Sequence, residues 1–149
     1  MRAARPIYLV DTNVLVYAYD PSDRVKQARA IETLSQLAAV NVGALSAQVL
    51  GEFFVTVTRK IAQPLTAANA EHSMTNYARS WVVFEITSLA TLEAARGVQR
   101  HGLSYWDSLI WATAKLNGAP FVLTEDIGSR KDVEGVRFLN PFVGELKLV

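Results

Sequence analysis

The apolar residues of this chain follow two rhythms. Short unbroken runs of strand length recur along it, and between them lie stretches in which apolar positions return every three or four residues. An unbroken run bounded by breakers reads as a buried strand, and the returning pattern as an amphipathic helix. On that basis strands fall at residues 7–10, 42–45, 81–86, 121–124 and 136–139. Helices fall at about 14–19, 24–38, 46–60, 66–80, 88–100 and 104–116. In the helix over 24–38 the stripe is read as Val25, Ala28, Ile31, Leu34 and Leu37. The boundaries agree with these spans. Ser46, Thr66 and Ser104 are good N-cap residues, Gly102 suits a left-handed helix end, and Gln63-Pro64-Leu65 and Asn117-Gly118 break the chain.

Strands separated by helices of this length imply parallel crossovers, hence an α/β fold with both sheet faces covered. No internal repeat, linker or low-complexity segment interrupts the alternation. The 149 residues fit a single domain over 1–149, large enough to bury roughly 70% of the unfolded surface without metal or disulfide support.

Composition narrows the chemistry. Half the residues are apolar and 19% are charged, which excludes a disordered chain. There is no cysteine, so disulfide scaffolds, thiolate zinc sites, iron–sulfur clusters and cysteine nucleophiles are out, in keeping with a reducing compartment. No apolar run approaches a membrane span, and the run at 7–10 is too short for a secretory signal core. The expectation is a cytoplasmic protein with no membrane partner. Dinucleotide-binding, P-loop, nucleophile-elbow and zinc-protease motifs are all missing.

In open α/β sheets, ligands gather beyond the carboxyl ends of the strands. Asp11 directly follows the run at 7–10, and Glu125-Asp126 follow the one at 121–124. Asp11, Asn13 and Asp126 each have an alternative use as a helix cap or turn residue. Asp107 stands three residues after Ser104, in capping-box spacing. Glu52 lies off the apolar stripe of Val49, Leu50, Phe53 and Val57, where a solvated acid also belongs. If four carboxylates converge, each like-charged pair at about 4 Å costs on the order of 4 kcal/mol at an effective dielectric near 20. Such a cluster calls for a cation, and oxygen-only ligands favour Mg²⁺ or Mn²⁺ over zinc. His72 and His101 have no partner at metal-ligand spacing and read as surface or structural residues.

Four segments, taken in order and spacing, resemble PIN domains: Val10-Asp11-Thr12-Asn13-Val14-Leu15, Ser46 with Glu52-Phe53, Leu103 through Ile110 around Asp107, and Leu123-Thr124-Glu125-Asp126. The ending Gly135-Val136-Arg137-Phe138-Leu139-Asn140-Pro141-Phe142 resembles theirs too. The likeness is nearest to VapC-type ribonuclease toxins of prokaryotic toxin–antitoxin pairs, and it spans essentially the whole chain. It implies a three-layer α/β/α sandwich around a mainly parallel sheet of about five strands, with an acidic quartet at the sheet's carboxyl edge. Matched residue by residue, the quartet is Asp11, Glu52, Asp107 and Asp126. Asn13 and Thr124 match supporting polar positions, and Glu125 is a further supporting candidate. The loop after Asp126 departs from the family, with Arg130 after Gly128-Ser129 where a glycine is common.

The implied activity is endoribonucleolytic hydrolysis of a phosphodiester with one or two Mg²⁺ or Mn²⁺ ions. Asp11 and Asp107 are the expected principal ligands, and Asp126 and Glu52 complete the site. The implied partners are RNA, a cognate antitoxin protein and a second copy of the chain. With four of the 14 acids set aside, 15 bases face the remaining ten, a surplus of five that suits a phosphate-binding surface. Arg100, His101, Arg130 and Lys131 are placed to flank the groove, and Trp106 to stack on a base, although each also reads as ordinary surface or core. Two other classes stay open: an inactive PIN-like module that binds RNA or protein, and a metal-dependent phosphohydrolase of another α/β family.

Overall fold

A computed structural model describes residues 4–126 and 132–149. Its first strand, β1 (Tyr8–Val10), is followed by α1 (Thr12–Tyr17) and α2 (Arg24–Val40), and then β2 (Gly43–Ser46). The helices α3 (Ala47–Arg59) and α4 (Ala67–Ser80) lead to β3 (Val82–Phe84). From there α5 (Ser88–His101) and α6 (Tyr105–Leu116) return to β4 (Phe121–Leu123), and the chain closes with β5 (Asp132–Val133) and β6 (Val136–Leu139). The five expected strands are all present, each within a few residues of its expected span.

The sheet runs β3-β2-β1-β4-β6-β5. Every pairing is parallel except β5 with β6. From β1 the chain winds outward through β2 and β3, then crosses back to β4 on the other side of β1. Right-handed crossovers therefore put α1–α4 on one face and α5–α6 on the other, giving a PIN-like three-layer sandwich. The reversal of direction leaves a crevice between β1 and β4. Central β1 is wholly buried, as its unbroken Tyr8-Leu9-Val10 requires.

Local chemistry sets most helix ends as expected. Ser46 Oγ accepts from Val49 N–H at 3.2 Å and Thr66 Oγ1 from Asn69 N–H at 3.1 Å, and Gly102 takes the left-handed conformation with φ 65°. On the far face α5 and α6 meet closely at Gly97, where a Cβ would collide with Ser108 Oγ and the Trp111 ring. Ser108 Oγ is in turn committed to Ala94 O at 2.7 Å.

Two expectations need correction. The buried face of α2 is Ala30, Thr33, Leu34 and Leu37, whereas Val25 is 81% exposed and Ile31 48%. Steps of three residues fall about 60° short of a full turn pair by pair, so a strict i, i+3 series drifts around the helix and cannot stay on one face. Thr33 takes the vacated position because its hydroxyl donates to Arg29 O at 2.8 Å. The sheet also has a sixth strand, β5, which pairs with β6 through a two-residue turn. Glu134 and Gly135 in that turn both have positive φ, 51° and 87°. Among the described residues, no helix is long and apolar enough to cross a membrane.

Candidate active site

Asp11 leaves β1 and becomes the N-cap of α1, so its capping role and its place at the sheet edge coincide. Oδ1 accepts from Thr12 N–H at 2.7 Å, and Oδ2 accepts from the Thr124 hydroxyl at 2.7 Å. Thr124 ends β4, and Asp11 N–H bonds to Leu123 O at 2.9 Å, so the two central strands meet here. Asn13 completes the link. Its amide donates to Thr124 Oγ1 at 3.1 Å and to Asp126 Oδ2 at 3.2 Å, while its carbonyl accepts from Glu125 N–H at 3.2 Å.

Asp107 sits in the first turn of α6. Its N–H reaches Ser104 Oγ at 3.4 Å, one half of a capping box. The reciprocal bond is not formed among the described residues, so the carboxylate is not spent on the cap. Glu52 stands on α3, exposed and off the buried stripe of Val49, Phe53 and Val57. Asp11, Glu52, Asp107 and Asp126 all line one open groove of about 380 Å³, into which Asn13 also faces. A cavity of about 20 Å³ adjoins it, lined by Asp11, Asp107, Thr124 and Asp126. That is room for one water-sized body.

The electrostatics follow from this placement. Asp11 is 7% exposed, and burial pushes its pKa up to about 6. The bonds from Thr124 and Thr12 pull it down, while the charges of Asp107 and Glu52 push it up again. A cation in the groove relieves both the burial cost and the repulsion. Among the described residues, no group of three or more His, Asp or Glu side chains is arranged to clasp an ion unaided. Mg²⁺ asks for less, since it keeps several waters and uses one or two carboxylates. Neither histidine lines the groove, and the all-oxygen donor set fits a hard divalent ion.

The remaining expected residues fall elsewhere. Glu125 points away from the groove's acids, paired to Lys26 Nζ at 2.6 Å and accepting from Tyr17 OH at 2.8 Å. Arg100 is exposed on the last turn of α5 and does not line the groove. His101 is turned to Glu134, 2.6 Å away, in a cluster with Arg96 and Lys115, and lies edge-on to Trp111. Arg130 and Lys131 lie outside the described residues. The sequence reading missed Thr12, Gln48, Thr56 and Lys60, which all line the groove. Among the described residues, Thr12 Oγ1 and Gln48 Oε1 are buried without a hydrogen-bond partner. A signal existed for three of these. Gln48, Glu52, Thr56 and Lys60 form a polar stripe at four-residue steps beside the apolar one.

No curated protein matches the chain. Solved structures do match its fold. A VapBC2 complex from Rickettsia felis bound to a promoter DNA fragment is 20% identical with a TM-score of 0.65, covering 90% of this chain and 98% of its own. A toxin–antitoxin complex from Klebsiella pneumoniae is 19% identical with a TM-score of 0.67, covering 93% and 99%. The sarcin–ricin-loop-cleaving toxin VapC20 from Mycobacterium tuberculosis is 20% identical with a TM-score of 0.60, covering 77% and 86%. At these identities the likeness is one of fold. The family model of the PIN domain matches residues 8–132, which span β1 to β4, all six helices and all four groove acids, and the chain belongs to the PIN-domain family.

Proposed function

We propose that this protein is a metal-dependent endoribonuclease acting as the toxin of a toxin–antitoxin pair in the cytoplasm. The observation that carries the reading is the convergence of Asp11, Glu52, Asp107 and Asp126, from four different elements, on one groove at the switch point of the sheet. Proteins of similar fold support the reading: one is described as a sarcin–ricin-loop-cleaving toxin, and another as a toxin–antitoxin complex.

Asp11 and Asp107 would hold Mg²⁺ or Mn²⁺, with Asp126 and Glu52 completing the set. When bound, such an ion supplies Lewis acidity toward water and the phosphoryl oxygens. The chain's own residues set the geometry. The hydrogen bonds from Thr12 N–H and the Thr124 hydroxyl fix the Asp11 carboxylate and favour its ionised form. Asn13 holds Asp126 against Thr124, so the first and last acids keep their spacing without a direct contact. Asp107 keeps a carboxylate free of its own helix cap, and Glu52 stands in the open groove, where it is placed to orient water. The partners we propose are RNA, an antitoxin and a second copy of the chain. Exposed Leu89 and Leu92, each 68% exposed, offer apolar surface for protein contact.

The test is incubation of antitoxin-free protein with total cellular RNA and Mg²⁺ or Mn²⁺, beside an EDTA control and Asp11→Asn. Discrete fragments that disappear in both controls support the reading, and their ends name the target. Intact RNA from wild-type protein that binds the metal overturns it.

A further inference from the structure

The four acids occupy only part of the groove. Gln48, Glu52, Thr56 and Lys60 all line it at four-residue steps, so it runs lengthwise along one face of α3. At 1.5 Å per residue, Lys60 lies roughly 12 Å beyond Glu52 along the helix axis, and Gln48 roughly 6 Å before it. Gln48 marks the opposite end from Lys60. Its Nε2 donates to Trp106 O at 3.2 Å, and Trp106 lines the groove while 63% exposed. The Tyr105 ring lies edge-on to the indole at 5.1 Å. Among the described residues, the buried side-chain polar atoms without a partner are Thr12 Oγ1 and Gln48 Oε1, both of residues that line this groove. Among the described residues Lys60 is the one cation lining it, and no carboxylate there pairs with it.

We propose that the groove takes a single-stranded stretch of RNA lengthwise, with a base stacked on Trp106 and a backbone phosphate held by Lys60. This rests on the ribonuclease reading and deepens it: the strand is held at two assigned points, Trp106 beside Gln48 and Lys60 at the other end of the α3 wall. A large indole held at the mouth of a polar groove offers a face to any base, but only to one free of its own stack, and single-stranded loops and ends supply such bases. The ammonium of Lys60 is a compact point charge suited to a phosphate. It stands beyond Glu52, where the strand has passed the acids. Asp20 also lines the groove, but one of its oxygens is committed to Ser22 N–H at 3.0 Å.

The test separates this inference from the catalytic one by measuring binding and cleavage apart. An unstructured ten-nucleotide oligoribonucleotide, and a duplex of the same sequence, are titrated with Mg²⁺ into the Asp11→Asn protein. The titration is repeated in that background with Trp106→Ala, Trp106→Phe, Lys60→Ala and Lys60→Arg. Cleavage of the same RNAs is followed in the background that retains Asp11, and thermal melts check folding. Trp111 is fully buried and Trp81 half-buried, so quenching of tryptophan emission by a stacked base reports on Trp106. The expected result is quenching by the single strand and not by the duplex. Trp106→Phe loses the signal but keeps affinity within about three-fold, and Trp106→Ala weakens binding roughly 5- to 150-fold. Lys60→Ala weakens binding and lowers the salt slope by about 0.7, and Lys60→Arg restores both.

Unchanged binding and KM in Trp106→Ala and Lys60→Ala, with wild type still cutting, overturn the inference and leave the ribonuclease standing. Duplex bound and cut as well as single strand overturns it too. So does a Trp106→Ala protein with normal RNA binding but altered self-association by sedimentation, because the indole is then a protein contact. The expected binding pattern without any cleavage upholds the groove assignment and removes the ribonuclease reading. Failure of every form to bind either RNA overturns both.

Discussion

The Thr124 hydroxyl donates to Asp11 Oδ2 across 2.7 Å, bridging residues 113 apart in sequence at the ends of the two central strands. Thr124 Oγ1 in turn accepts from the Asn13 amide and from Asp126 N–H, each at 3.1 Å. One buried hydroxyl thus sets the positions of the first and last acids of the groove, and Thr124 does so from the small adjoining cavity, outside the groove lining itself.

Replacing Thr124 with Val keeps the shape and removes the hydroxyl. Asp11, already buried, then loses a donor, and Asn13 and Asp126 lose an acceptor. The expected cost is about 1–3 kcal/mol of stability, the price of leaving buried polar groups unpaired. Thr124→Ser, which restores the hydroxyl, should recover most of it. Urea denaturation of the three proteins in EDTA decides the matter, and a Val variant as stable as wild type would show that the bridge contributes nothing.

Asn13 touches both strand ends but supplies no carboxylate. Asn13→Ala should therefore leave the fold intact while releasing Asp126. Loss of a residue that orients metal ligands typically weakens metal binding about 10- to 100-fold. Calorimetric titration with Mn²⁺ measures this directly, without any assay of activity. Equal affinity in mutant and wild type would remove Asn13 from the site.

Much of this arrangement was readable from the chain. The strands β1 and β4 announce themselves because a strand covered on both faces must be apolar throughout, and each delivers an acid at its end. Glu52 was harder to read, since an off-stripe acid on a helix looks solvated until another element supplies the facing wall. The polar stripe from Gln48 to Lys60 was visible but had no meaning until α1 lay opposite it. β5 could not be seen. Asp132-Val133 is a strand only through its pairing with β6 and through Trp111, whose indole N–H donates to Val133 O at 2.9 Å. His101 carried two readings, a structural residue or a groove flank, and its pairing with Glu134, 33 residues away, turns it away from the groove.

The contact between α5 and α6 offers a test remote from the groove. Gly97 faces Ser108 and Trp111 so closely that an added methyl must displace the indole or the helix. Gly97→Ala gains intrinsic helix propensity of roughly 1 kcal/mol but forces overpacking that costs typically 1–3 kcal/mol. The net expectation is a lower melting temperature, read by circular dichroism. Gly51 is the control, because nothing lies within 4 Å of where its Cβ would stand, and Gly51→Ala should raise the melting temperature.

The last expectation concerns pH. Burial raises the Asp11 carboxyl from 3.8 to about 6. A group with a raised folded pKa holds more protons in the native state than in the unfolded one between those two values, so stability falls as pH rises through that window. At neutral pH the metal-free protein then carries a penalty of about 3 kcal/mol at most, which disappears on acidification to about pH 4. Glu134 acts in the opposite sense. Its bonds to His101 and Arg96 hold its pKa down at about 2, so its contribution is present above the ordinary carboxylate range and is lost only as pH falls toward 2. The two windows overlap only between 3.8 and 4.5, and the comparison with Asp11→Asn cancels the Glu134 contribution. In EDTA, wild type should therefore gain stability relative to Asp11→Asn as pH drops from 7 to 4, measured by chemical denaturation at each pH. Mn²⁺ at pH 7 should stabilise wild type and leave Asp11→Asn nearly unaffected, because a cation offsets the charge that burial disfavours. A wild-type and mutant difference that is flat across this range would show that Asp11 is already comfortably ionised without metal.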